Sequence, residues 1–184
     1  MNQSRQIHWR KENVNRLLAF GSNPKMQEKY GHSALMLAIR CNWPQETIEL
    51  LLEKGADPDA RTTKGIAPLH YLMHHKAEDY RAAKLLLEQG ANPNIKTVEG
   101  YAPMYFAVRY KAYNTIELLL HHDADPQQQD EQGDTPLLQL GIKADSGGSP
   151  YISRTEECRN QGFNENELDG IYRITRALFP SQVK

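Results

Sequence analysis

Cysteine is nearly missing from this 184-residue chain: Cys41 and Cys158 are its only two, far apart and without metal-ligand spacing. A disulfide framework needs more than that, so the cysteines favour a reducing compartment. Net charge is equally scarce, −1 at pH 7. Domains built for nucleic acid are usually strongly basic, and this balance argues against one. No apolar run approaches the ~20 residues of a membrane span, and the opening M-N-Q-S-R-Q-I-H-W-R carries no apolar signal core. The expected location is therefore cytoplasmic, away from any membrane. Motifs of chemistry are absent too: there is no G-x-x-x-x-G-K phosphate loop and no H-E-x-x-H pair. Nothing around Cys158 would orient a base against its thiol. Neither enzymatic activity nor a cofactor is expected.

What the chain has instead is repetition. T-I-E-L-L-L-E-K-G-A-D at 47–57 returns as A-A-K-L-L-L-E-Q-G-A-N at 82–92 and as T-I-E-L-L-L-H-H-D-A-D at 115–125. A worn copy, V-N-R-L-L-A-F-G-S-N, occupies 14–23. Pro24, Pro58, Pro93 and Pro126 are spaced 34, 35 and 33 residues apart, and Gly31, Gly65, Gly100 and Gly133 keep the same spacings. Self-similarity at that period marks a stacked repeat protein, in which each unit buries its apolar face against its neighbours.

Each unit reads as two helices. Ile48, Leu51 and Leu52 fall at i, i+3 and i+4, as do Ile116, Leu119 and Leu120, so each set makes one helical stripe. Leu50 and Leu118 widen it until the helix demands cover on several sides. Gly55 and Gly90 supply the positive φ that commonly ends a helix, and Pro58 and Pro93 forbid continuation. The other half of each unit opens on its glycine and runs into a short helix at 33–38, 67–72, 102–107 and 135–140. Ala38 and Ala107 are small enough to let those helices lie close together.

The pattern G-x-[S/A/T]-[P/A]-L, two helices, then G-A-[D/N]-P resembles the ankyrin repeat, with Gly65, Pro68, Leu69, His70, Leu85 to Leu87, Gly90, Ala91 and Pro93 as the best match. The resemblance covers roughly residues 7–143. It implies an all-α solenoid of stacked antiparallel helix pairs with β-hairpin-like finger turns at one edge. It also implies that His70 bonds to backbone turns and ties adjacent repeats together. A single domain over 1–184 is expected, with repeats near 7–30, 31–64, 65–99, 100–132 and 133–179. Residues 7–24 read as an N-terminal cap whose apolar face is Ile7, Val14, Leu17 and Leu18. Trp43 reads as a lid over the helix ends or as an exposed anchor. Asp123 stands where the other units have glycine. Residues 144–163 show no helical period and read as an irregular insert. Residues 164–179 read as a further helix with a stripe of Leu168, Ile171, Tyr172, Thr175 and Leu178.

The family's concave face is formed by the finger residues beside each glycine and by the residues that end each first helix. Carried onto this chain, the candidate partner-binding residues are Arg40, His74, His75, Arg109, Tyr110 and Lys143 from the helix ends. The fingers add His32, Lys64, Ile66 and Tyr101. That face is basic and aromatic, a composition common in binding hot spots. The expected function is a protein–protein interaction module that binds an acidic segment of another protein, as an adaptor, an inhibitor, or a bacterial effector or immunity protein. A monomer acting by occupancy is expected, with no nucleic acid or membrane as partner. The alternative is a small-molecule or metal-binding protein using the histidines and the 144–163 insert; His70 and His74, one turn apart, have the spacing of a ligand pair.

Overall fold

A computed structural model of the chain describes residues 3–74, 80–136, 143–144, 150–151, 169–170 and 173–174, with the side chains of 11–73, 80–136, 169–170 and 173–174. Seven helices occur among them: α1 Gln3–Ala19, α2 Ala34–Arg40, α3 Gln45–Glu53, α4 Pro68–His74, α5 Tyr80–Glu88, α6 Pro103–Arg109 and α7 Tyr113–His121. A two-residue antiparallel pair, β1 (Lys143–Ala144) with β2 (Pro150–Tyr151), falls at the start of the irregular insert. The rest of that insert lies outside the described residues.

The helices stack in two rows. α2, α4 and α6 follow one another in an inner row, and α1, α3, α5 and α7 form an outer row; each inner helix also packs on the outer helix that follows it. The equivalent middle leucines of the outer row, Leu51, Leu86 and Leu119, are all almost completely buried, and Ala38 and Ala107 are fully so. Ser33 caps α2, its hydroxyl accepting the Met36 N–H at 3.3 Å. Pro103 stands at the first position of α6, where the missing N–H has no helical partner to lose. Trp43 is half-buried against the core, as the lid reading expects.

One expectation fails at the first element. Val14 and Leu18 pack on the core, but Leu17 is 59 % exposed, so it is not part of the cap's buried face. The reason is the single long helix. α1 packs on α3 in the outer row, and among the described residues no inner-row helix stands ahead of α2. Ala34 is exposed in consequence, while its counterparts Pro68 and Pro103 are buried. A groove of about 380 Å³ remains there, with Leu17 on its wall.

The turns between units are built twice over. Asn23, Asp57, Asn92 and Asp125 each accept the N–H two residues on, at 2.8–2.9 Å, which is why the [D/N]-P step recurs. Each finger then closes on itself: Thr62 N–H donates to Ile66 O, Thr97 N–H to Tyr101 O and Asp130 N–H to Asp134 O. Side chains at the same position, Glu28, Thr62, Thr97 and Asp130, accept the N–H of the residue after the glycine. Neighbouring fingers are joined by long side chains that step one unit at a time. Gln27 Nε2 donates to Arg61 O (3.0 Å), Arg61 Nη2 to Lys96 O (2.6 Å) and Lys96 Nζ to Gln129 O (2.8 Å).

A second inter-repeat bond suggests an improvement the chain has made only once. Asp59 Oδ1 accepts the Asn92 N–H at 2.8 Å, and its counterpart Asn94 Oδ1 accepts the Asp125 N–H at 2.7 Å. Asn94 also donates through Nδ2 to Asp123 O at 2.9 Å, a bond no carboxylate can make. Burial pushes the Asp59 carboxyl above its usual range, the Asn92 N–H pulls it back, and Asp57 adds repulsion. A carboxyl raised in the folded state lowers stability above its folded value and loses that penalty as pH falls toward the unfolded value near 3.9. Asp59→Asn is therefore expected to stabilise the protein at pH 7 by about 0.5–1 kcal/mol. The gain should shrink as the pH falls to about 4. Urea midpoints at the two pH values test it; a lower midpoint at pH 7 would refute it.

At the other end, residues 169–170 and 173–174 are helical and Ile174 is fully buried in the core. Ile174 was not on the expected stripe, whose residues lie outside the described set. Arg173 pairs with Glu117 and donates to Asn114 Oδ1 at 3.2 Å, fastening this segment to α7. Gly170 sits under the Tyr113 ring so closely that any Cβ there would overlap it. That contact explains a glycine within an otherwise helical segment.

Candidate functional site

The inner helices end on one side of the stack. Arg40 closes α2 and Arg109 closes α6, both exposed, and His74 closes α4 between them. The His74 side chain and the whole of His75 lie outside the described residues, as does the Lys143 side chain at the start of β1. Each arginine ends its helix where the unpaired carbonyls carry partial negative charge, which stabilises it there. Packed helices lie about 8–10 Å apart, so the two guanidinium-bearing ends are two such steps apart along the row.

The finger residues divide into those held within the fold and those that face outward. His32 belongs to the first group: its Nδ1 lies 2.6 Å from Glu28 Oε1, and the same carboxylate accepts the His32 backbone N–H at 3.2 Å. The hydrogen bond from His32 holds the Glu28 carboxyl below its usual range. Its ring also meets Tyr71 at 6.2 Å between centroids. Burial raises the Tyr71 phenol above its usual value, while the positive charge of Arg40 draws it back down. Lys64 is exposed, and its carbonyl accepts the Val98 N–H of the next finger. Ile66 is half-buried.

Tyr101 forms the most developed surface of the set. Its ring stacks on Tyr105 with centroids 4.1 Å apart, and Phe106 meets both rings edge-on at 5.9 and 5.4 Å. Tyr110, 47 % exposed, follows Arg109 at the end of α6. Loss of water, with Tyr105 and nearby carboxylates adding to it, pushes the Tyr101 phenol above its usual range, so it remains a neutral donor. Tyr71 and Tyr105 were not among the residues expected from sequence. Tyr101 precedes the N-cap of α6, so helical spacing does not by itself reveal its contact with Tyr105.

His70 lies beneath this cluster, fully buried, bonded to the Ala67 N–H and to Tyr101 O. It is therefore a fastening of the fold, as the family resemblance implies. Among the described residues no group of three or more His, Cys, Asp or Glu is placed to hold a metal ion. No described helix is long and apolar enough to cross a membrane.

Two rows of paired short helices, with hydrogen-bonded fingers repeating every 33–35 residues, define an ankyrin-type array. The family model for ankyrin repeats (3 copies) matches residues 8–97, 44–130 and 74–145, which together span most of the chain. The chain belongs to the ankyrin-repeat family. No curated protein matches it. Ankyrin repeats generally mediate protein–protein interaction, and the family is generally non-enzymatic.

Proposed function

We propose that this protein is a monomeric cytoplasmic binding module that acts by occupying an acidic segment of another protein on its concave face, as an adaptor, an inhibitor, or a bacterial effector or immunity protein. The observation that carries this reading is the pairing of exposed Arg40 and Arg109, at equivalent helix ends, with the Tyr101–Tyr105 stack. Two cations along one row suit carboxylates spread along an extended chain or one helix face. The stacked tyrosines and Tyr110 supply apolar area beside them, where charges alone would stay hydrated. His74, His75, Lys64, Ile66, His32 and Lys143 complete the proposed face, with His32 acting through the finger it holds in place.

The test is the charge reversal Arg40→Glu with Arg109→Glu. Captures from a native lysate by the parent and the double variant, compared by mass spectrometry, identify the partner as the protein lost from the variant. With that partner purified, association is expected to slow by about tenfold or more at low salt, the gap closing as salt rises. The urea midpoint should scarcely move, because exposed charges contribute little to folding. Unchanged association kinetics in a folded double variant would exclude this face.

A further inference from the structure

We propose that the α1 end of the stack is a second docking surface, which takes an acidic amphipathic α-helix of another protein. Among the described residues the inner row begins at α2, so no inner-row helix covers the side of α2 that faces away from α4. The groove of about 380 Å³ opens there, lined by Val14, Leu17 and Leu18 of α1, Ala34 and Leu37 of α2, and Cys41 at the end of α2. None of the described residues that line it is charged. Seven large hydrophobic side chains are exposed among the described residues, and four of them, Leu17, Phe20, Met26 and Tyr30, fall within 17–30. A terminal unit that meets only water needs a polar outer face, and a cluster of this kind marks a surface that is covered in use.

The array itself shows what shape fits. Pro68 and Pro103, at the place of Ala34 on α4 and α6, are buried, and each of those helices has an inner helix packed ahead of it. Ala34 is exposed and has none among the described residues. A helix laid in the groove would rest on α2 as α2 rests on α4, with an apolar stripe at i, i+3, i+4 and i+7. A bilayer surface is too flat to enter such a groove.

Charge specifies the flanks of that helix. Residues 1–43 hold seven Lys or Arg and two carboxylates, on a chain whose net charge is −1. Both carboxylates are committed within the chain, Glu12 to Arg16 at 3.1 Å and Glu28 to His32 at 2.6 Å. Three of the cations adjoin lining residues: Arg16 precedes Leu17, Lys25 follows Pro24 and Arg40 precedes Cys41, and all three are exposed. Glu or Asp beside the apolar stripe of the incoming helix meets this surplus favourably. A second copy brought end to end would set the same cations against one another. The surface stands on these observations whether or not the concave face also docks a partner.

Cys41 reports occupancy of the groove, because it is exposed there and becomes the only thiol once Cys158→Ser is made. The probes are two synthetic helical peptides of roughly 18 residues with the same leucine stripe, one flanked by Glu and the other by Lys. At saturation the Glu peptide is expected to slow modification of Cys41 by a water-soluble thiol reagent about tenfold or more. The Lys peptide should bind about tenfold more weakly at low salt, the gap closing as salt rises. Leu17→Asp should abolish the protection. Val98→Asp should keep it, since it removes an equally exposed side chain (58 % against 59 %) from the finger at 97–101. Leu17 is not part of the proposed concave face, so failure here leaves the charge-reversal test of that face standing, and the reverse. The proposal is overturned if the Glu peptide leaves Cys41 unprotected in the otherwise wild-type array, or if the two variants respond alike. Self-association that Leu17→Asp abolishes in sedimentation would overturn it as well, and so would binding to phosphatidylserine vesicles without binding to the peptide.

Discussion

Leu86→Ala is expected to lower the unfolding free energy by about 2–5 kcal/mol, whereas Leu17→Ala should change it by less than about 1 kcal/mol. Both leucines occupy the same place in the repeat pattern, L-L-L-E-Q-G and R-L-L-A-F-G. Leu86 is fully buried between the neighbouring outer helices α3 and α7, so truncation leaves a cavity that cannot collapse from either side. Leu17 is 59 % exposed on α1, whose packing partner among the described outer helices is α3. Equilibrium unfolding in urea measures both. Equal losses would mean that the stack does not carry stability through its central interfaces, and the two-row description would be wrong.

Gly31→Ala should cost roughly 2–4 kcal/mol, from left-handed backbone strain together with overlap against the next finger. Gly31 has φ +83°, and a Cβ there would stand 2.8 Å from Thr62 Cα and 2.9 Å from Arg61 O. Gly55 is the control. Its φ is +89°, but a Cβ there meets nothing within 4 Å. Gly55→Ala therefore suffers the strain alone, about 1–2 kcal/mol. The difference between the two midpoints isolates the finger-to-finger approach. If the two substitutions cost the same, the fingers are spaced more loosely than described.

Much of the array was legible because repetition averages out local ambiguity. A single apolar run such as L-L-L-E would not distinguish a helix from a strand. Three copies with glycine and proline at fixed offsets do, since only one structure reuses the same punctuation. Asp123 illustrates the limit of that reading and its success together. Its backbone adopts φ +62°, the left-handed conformation that its glycine counterparts Gly55 and Gly90 adopt. Asn42 and Lys111 also have positive φ, and nothing in their residue types announces it for the lysine. They end α2 and α6, where the chain must turn sharply into the outer helix, and the neighbouring helices set that turn.

The candidate site was legible in part. Register placed Arg40 and Arg109 at equivalent helix ends, because a period of 34 or 35 residues carries position directly from one unit to the next. Register could not separate His32, tied to Glu28, from Tyr101, stacked on Tyr105. Both follow a finger glycine, and what distinguishes them is which side chain another segment brings alongside.

By itself, then, the order of residues determined the period of the array, the turns between its units and the leucines that recur in its core. Each of those follows from interactions within one unit or from a pattern every unit repeats. Only the tertiary structure decided what happens where the pattern meets an end or a neighbour. Leu17 is exposed because, among the described residues, no inner helix stands ahead of α2, and Gly170 is required because the Tyr113 ring lies on it. The inter-finger ladder through Gln27, Arg61 and Lys96 exists because stacking brings a carbonyl of the next unit within reach of each side chain. Contacts between units depend on distances that stacking alone creates, and no single repeat carries them in its own sequence.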